Sequence, residues 1–194
     1  MKKIVITGGL GYIGTELCKI YSGYSWNDKI TVIDNRFISE RVNQIRNWNM
    51  NFVQGDILDR ELIKKHCQDA DVVHHLAGIT DVPRVKSEGS EYKNRLISKV
   101  AEEGTQNILD VISDKCKIIM PSSHVVYEGI ESVKMEIKES EQTNPVLSYS
   151  KSKAINEEQL KNSGKNYIIL RLGSVYGYSS DTARIVIMAN LFAK

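Results

Sequence analysis

Two kinds of hydrophobic run alternate along the chain. Short β-branched runs recur as KIVIT (3–7), KITVID (29–34), NFVQ (51–54), DVVHHL (71–76), KIIMPSS (117–123) and NYIILRL (166–172). Continuous apolar runs of this length suit strands buried on both faces. Helical patterns lie between them. IGTELCKIY (13–21) sets Ile13, Leu17 and Ile20 on one face, with Cys18 and Tyr21 beside it. DRELIKKHC (59–67) opens on a capping aspartate, and VAEEGTQNILDVI (100–112) carries Ile108, Leu109 and Ile112 at helical spacing. SYSKSKAINEEQLKNSG (148–164) ends at Gly164, a helix stop. Pro83, Pro121 and Pro145 are expected at element edges. This alternation predicts an α/β protein: a doubly wound parallel sheet with helices on both faces.

Composition narrows the class without naming a function. The 194 residues are 41% hydrophobic and 26% charged, with a formal net charge of +2, as in ordinary globular domains. No basic block or aromatic-studded basic stripe points to nucleic acid. No apolar run approaches a membrane span, and the short run after MKK is too short for a signal-peptide core. Cys18, Cys67 and Cys116 are far apart and form no Cys-x-x-Cys, which suits reduced thiols of a cytoplasmic protein and neither a metal site nor a disulfide frame.

Chemistry enters at ITGGLGYIGTE, Ile6 to Glu16. Gly8, Gly9, Gly11 and Gly14 follow the first strand and open the first helix. Such glycines permit a tight turn, close approach of backbone amides to a pyrophosphate, and close packing of helix on strand. Taken alone they also suit a strand–helix link without a ligand. Asp34 ends the second strand twenty residues after Gly14. A carboxylate there accepts both adenosine ribose hydroxyls and repels a 2′-phosphate, which favours NAD over NADP. Arg36, two residues on, softens that choice. Asp56, in GDILD after the third strand, is either an adenine ligand or a turn residue.

Tyr149 and Lys153 form Tyr-x-x-x-Lys on the last predicted helix, so the two side chains share a face. A free phenol has a pKa of about 10, and a neighbouring ammonium stabilises its phenolate, giving an acid/base for a sugar hydroxyl. Ser123, with Ser122 as the near alternative, ends the fifth strand at the carboxyl edge where open α/β sheets bind ligands. His74 and His75 are adjacent in a strand, point to opposite faces and read as packed side chains. His124 beside Ser123 is a substrate contact or a packing residue.

Together TGGLGYIG, VIDN, GDILD, HHLAG, SSHVVY, YSKSK and ILRLGSVYG resemble the extended short-chain dehydrogenase/reductase superfamily. More narrowly they resemble its NAD-dependent epimerase/dehydratase family acting on nucleotide sugars. The resemblance implies a Rossmann fold, NAD as cofactor and a nucleotide-sugar substrate. Tyr149 would be the catalytic base, Lys153 would hold the nicotinamide ribose, and Ser123 would bond the sugar hydroxyl. Gly8, Gly11 and Gly14 would form the phosphate turn, with Tyr12 and Ile13 supplying amides to the pyrophosphate. Leu76, Ala77 and Gly78 would line the dinucleotide; Asn35 and Ile57, beside Asp34 and Asp56, complete the cofactor set with Arg36. The implied reaction is epimerisation through a transient keto sugar, as in UDP-hexose 4-epimerases.

Departures from the family pattern shape the expectation. The Asp-Glu pair of the 4,6-dehydratases is His124-Val125 here, which disfavours dehydration. Val126-Tyr127-Glu128-Gly129 carries an extra or substituted residue relative to Val-Tyr-Gly. Ala101 and Ser174 stand where asparagines are usual. A nucleotide-sugar reductase, decarboxylase or dehydratase of the same family, or a non-catalytic dinucleotide-binding member, remain alternatives. Residues 1–175 are expected to form the NAD-binding domain, and 176–194, with the helical pattern DTARIVIMANLFAK, to begin a truncated substrate-binding region. The chain is then expected to bind cofactor and to turn over poorly by itself. A homodimer is expected through helices containing Gly104–Ile112 and Tyr149–Leu160.

Overall fold

The computed structural model describes residues 1–24, 27–80, 91–131 and 136–179. Strands β1 (Lys3–Thr7), β2 (Lys29–Asp34), β3 (Asn51–Gln54), β4 (Val72–His75), β5 (Lys117–Ser123) and β6 (Asn166–Leu172) form one sheet in the order β3-β2-β1-β4-β5-β6. Every pairing is parallel. The helices between them are α1 (Tyr12–Ser22), α2 (Ser39–Asn47), α3 (Arg60–Cys67), α4 (Glu91–Val111) and α5 (Ser148–Asn162), and one 3-10 turn (His124–Tyr127) follows β5. The strand order reverses between β1 and β4, which places a crevice at the carboxyl ends of those strands.

Alternation along each strand divides the core. Ile4, Ile6 and Val32 pack with Leu10, Cys18, Val42 and Ile45 beneath α1 and α2. Val5, Ile33, Val73, Ile118 and Met120 pack with Ile63, Ile108, Leu109 and Leu160 beneath α3, α4 and α5. Burial pushes the Cys18 and Cys67 thiols up to about 12, so they are inert apolar fillers. No helix among the described residues is long and apolar enough to cross a membrane.

The strand expectations hold to within a residue at each end, and the helices differ in instructive places. α2 has no counterpart in the predicted pattern: SERVNQIRN is mostly polar and buries only Val42 and Ile45. α4 begins at Glu91, well before residue 100. In α1 the packed face is Gly14, Thr15 and Cys18, while Ile20 is exposed, so the expected Ile13–Leu17–Ile20 face does not drive docking. The glycine-to-strand contact rotates the helix instead. Pro121 lies inside β5 and not at its edge. The β4 ladder ends at Ile119, so the missing N–H costs no bond to that neighbour. Asp59 caps α3 by accepting from Leu62 N, and Gly164 follows α5 with φ +68°. Pro83 and the 181–194 pattern lie outside the described residues.

Two devices hold the site's supporting elements. Gly8 adopts φ +71°, and a Cβ there would sit 2.6 Å from Ala77 N; a Cβ on Gly14 would sit 2.4 Å from Gly8 O. At the other end of the sheet, Glu157 of α5 is almost fully buried and paired with Arg171 of β6 at Nε–Oε1 2.9 Å and Nη2–Oε2 2.6 Å. Ser122 of β5 donates to the same carboxylate at 2.6 Å. Burial opposes the charge of Glu157, yet Arg171, Ser122 and Lys161 hold its carboxyl below the ordinary range.

Gly14→Ala is expected to destabilise the fold by about 1–3 kcal/mol through backbone overpacking, read by urea denaturation. Arg171→Leu removes the cation from a buried acid and should cost about 3–5 kcal/mol at pH 7. The ion pair stabilises above the unfolded carboxyl pKa and is lost as pH falls, so the gap between wild type and Arg171→Leu should narrow below about pH 4.5. A gap unchanged at pH 3.5 would count against the ionised pair.

Candidate active site

A cleft of about 900 Å³ opens at the carboxyl edge of the sheet, and, Gly9 apart, every candidate catalytic and cofactor residue named from the sequence lines it. At one end is the β1–α1 turn. Gly8 N donates to Ile33 O at 2.7 Å, and Gly11 N donates to Gly8 O at 3.1 Å. Thr7 Oγ1 accepts from Ala77 N, which closes the turn onto the end of β4 at Leu76–Gly78. No side chain caps the start of α1, and its first turn carries no acid. Tyr12 and Ile13 thus begin a helix N-terminus suited to phosphate. The backbone cradle admits no side chain at Gly8 and presents amides and a helix end, which fits a pyrophosphate.

The second wall is the end of β2. Asp34 is buried, and its Oδ2 accepts from Leu10 N at 3.0 Å. Its Oδ1 accepts from Arg36 N at 3.0 Å and from Arg36 Nε at 3.1 Å. Beyond it, Asp56 Oδ1 accepts from Leu58 N and Oδ2 from Asn35 Nδ2, both at 3.0 Å. Asp56 therefore serves as a turn residue and also lines the cleft beside Ile57.

The third wall carries Ser123, Tyr149 and Lys153. Lys153 is buried, donates to Pro121 O at 3.1 Å, and stands with Nζ 5.8 Å from the Tyr149 ring centroid. A Cβ on Gly78 would lie 4.0 Å from that Nζ, so the lysine reaches across to the β4 wall. The two serines separate. Ser122 donates to Glu157 and is spent on the support. Among the described residues Ser123 Oγ accepts a long contact, 3.4 Å from Val125 N, and the residue lines the cleft. His124 also lines the cleft. Its Nδ1 donates to Leu172 O at 3.2 Å, because a carbonyl can only accept.

The strand histidines do point to opposite faces. His74 Nε2 bonds Tyr21 Oη at 2.8 Å on the α1 side. His75 bonds Thr7 Oγ1 at 2.9 Å and Thr105 Oγ1 at 3.0 Å on the α4 side. Desolvation, with Lys153 adding repulsion, lowers His75 to about 3, so the ring is neutral.

Several supporting residues escaped the motif search. Glu128 accepts from Val146 N at 2.7 Å, Leu147 N at 2.6 Å and Ser150 Oγ, and so caps α5 from outside the helix. The extra residue of Val-Tyr-Glu-Gly thereby has a structural role. Asn156 ties α5 to α4 by donating to Ala101 O at 2.8 Å and Thr105 Oγ1 at 2.9 Å. Tyr127 receives Arg171 Nη1 and donates to Lys138 O at 3.1 Å, so it braces the Glu157 pair and does not face the cleft. Leu172–Val175 form a rim, followed by Ser179, whose Oγ donates to Tyr12 O at 2.8 Å. The i,i+4 series Tyr149, Lys153, Glu157 was the signal available for the buried acid.

The chain resembles known proteins along nearly its whole length. The sequence profile of the NAD dependent epimerase/dehydratase family matches residues 4–193. A putative UDP-glucose 4-epimerase of Methanocaldococcus jannaschii is 32% identical over 186 residues, covering 92% of this chain and 57% of that protein. A dTDP-D-glucose 4,6-dehydratase of Dictyostelium discoideum is 28% identical, with 96% and 46% covered. Among solved structures, UDP-N-acetylglucosamine 4-epimerase from Methanobrevibacter ruminantium M1 in complex with UDP-N-acetylmuramic acid superposes with TM-score 0.75 at 29% identity, over 94% of this chain and 59% of that one. UDP-glucose 4-epimerase from Brucella ovis in complex with NAD gives TM-score 0.75 at 25% identity, over 92% and 54%. The chain spans about half the length of the curated relatives it matches. A glycine cradle, a buried acid at the end of β2 and a Tyr-Lys pair at one sheet edge, with a family profile over nearly the whole sequence, place this chain in the NAD dependent epimerase/dehydratase family.

Proposed function

We propose that this chain binds NAD and carries the proton-transfer groups of a nucleotide-sugar 4-epimerase. The observation that carries the reading is the convergence of Ser123, Tyr149 and Lys153 on the cleft that also holds the glycine cradle. Gly8, Gly11, Tyr12, Ile13 and Gly14 would hold the pyrophosphate, and Asp34 with Asn35 the adenosine ribose. Asp56 and Ile57 would face the adenine, while Leu76, Ala77 and Gly78 would run along the chain of phosphates and ribose. Bound NAD supplies a hydride acceptor and donor.

The chain's residues do the rest. Ser123 orients a sugar hydroxyl. Tyr149 takes its proton and later returns one. Lys153 places positive charge beside the phenol and contacts the nicotinamide ribose. Glu128 and the Glu157–Arg171 pair hold α5 so that Tyr149 meets that hydroxyl at a fixed place. Epimerisation fits better than dehydration because the two positions after Ser123 carry an imidazole and an isopropyl group, with no carboxyl to assist loss of water. The paired outer faces of α4 and α5, around Gln106, Ile155 and Gln159, are the proposed homodimer surface. Residues 1–175 are taken as the dinucleotide unit.

Titration calorimetry is expected to show one NAD site per chain, and Asp34→Ala to weaken it about tenfold or more by removing ribose acceptors. With a panel of nucleotide sugars, turnover should interconvert epimers without net NADH. Tyr149→Phe should lower that turnover by about a hundredfold or more while NAD affinity stays within about threefold. Net consumption of reduced cofactor would assign a reductase instead, and full activity of Tyr149→Phe would remove the tyrosine from its role.

A further inference from the structure

We infer that the cleft accepts the 2′-phosphorylated dinucleotide, NADP, about as well as NAD, and that Arg36 decides the balance between them. The inference rests on the dinucleotide reading above. A carboxylate at the end of β2 excludes a 2′-phosphate only if its charge faces the ribose unshielded. Here it does not. The Asp34 side chain is 4% exposed, and the Arg36 guanidinium that covers it is 47% exposed and lines the cleft. Both carboxylate oxygens are engaged: Oδ1 by Arg36 N and Nε, Oδ2 by Leu10 N at 3.0 Å and Arg36 Nη2 at 3.4 Å. The acid has become one half of an ion pair whose other half faces the ligand.

The position of the guanidinium adds a second argument. Its Nη2 lies 3.8 Å from where a Gly11 Cβ would stand. The fork therefore spans from the end of β2 to the glycine turn, across the side of the cleft assigned to the adenosine ribose. Among the described residues, the charges bonded into this corner balance. Asp56 is bonded by Asn35 Nδ2 and Leu58 N, and Arg41 of α2 donates to Leu10 O, one peptide away from the Leu10 N–Asp34 bond. Asp34, Asp56, Arg36 and Arg41 sum to zero formal charge.

The corner can thus meet two ligands with one rearrangement. With NAD, Arg36 yields lone pairs of Asp34 to the ribose hydroxyls. With NADP, Nε stays on Asp34 and the outer N–H groups of the fork meet the phosphate, so the acid stays shielded. Asp34 then keeps its bond to Leu10 N.

Calorimetric titration of the 194-residue chain with NAD and with NADP tests this, alongside Arg36→Ala and Arg36→Lys. The wild type is expected to bind NADP within about tenfold of NAD, and Arg36→Ala to weaken NADP about tenfold or more while NAD stays within about threefold. Arg36→Lys, which keeps the charge and loses the fork, should fall between them. NADP binding weaker than that tenfold margin in the wild type, or equal losses for both ligands in Arg36→Ala, overturns the inference and leaves the NAD reading standing. Binding of neither dinucleotide removes both.

Discussion

The buried Glu157–Arg171 pair is the constraint on which the site depends. A carboxylate withdrawn from water costs several kcal/mol unless it is paired and fully hydrogen-bonded. Glu157 meets that condition only when β5, β6 and α5 stand at one mutual position, since its partners are Ser122, Arg171 and Lys161. A hydrophobic face tolerates sliding; a bidentate ion pair does not. The buried side of α5 is mostly polar, namely Ser150, Ser152, Lys153, Asn156 and Glu157, with Leu160 as its one large apolar member. Each of those groups except Leu160 has a directional bond, so the helix is docked by geometry more than by area.

That choice of support explains the arrangement of the cleft. The glycine turn brings α1 against β1 so closely that backbone atoms form the floor, and the polar docking of α5 sets Tyr149 and Lys153 opposite it. Glu128 reaches the first turn of α5 from the segment after β5, and Ser123 ends that same strand. The strand that presents the serine and the helix that presents the tyrosine are therefore joined at both ends, by Glu128 at one and Glu157 at the other.

Much of this was legible in the chain. Strand positions followed from β-branched runs, because a sheet covered on both faces demands continuous apolar stretches. The cleft residues followed from spacing, because a glycine turn, a strand-end acid and a Tyr-x-x-x-Lys pair each answer a local requirement. What stayed hidden was non-local. α2 is polar on most sides and is held by only two buried aliphatic residues, too few to mark a period. Ile20 fits a helical stripe and is nevertheless exposed, because Gly14 sets the rotation of α1. Arg171 and Glu128 take their meaning from partners 14 to 44 residues away, and the i,i+4 series that ends in Glu157 gives no sign of the arginine and serine, 14 and 35 residues off, that hold it. Arg36 was visible, but its hold on Asp34 was not.

His75 carries a consequence for proton balance. Wedged between Thr7 and Thr105, it remains neutral until about pH 3, whereas the same imidazole in an unfolded chain takes up a proton near 6.5. Opening the domain in mild acid therefore absorbs a proton at its centre, and each step down in pH between those limits draws the equilibrium toward the open chain. The neutral ring also leaves Lys153 as the cation beneath Tyr149, undiluted by a second charge. The same burial that keeps the field on the phenol simple makes acid the natural solvent weakness of this domain.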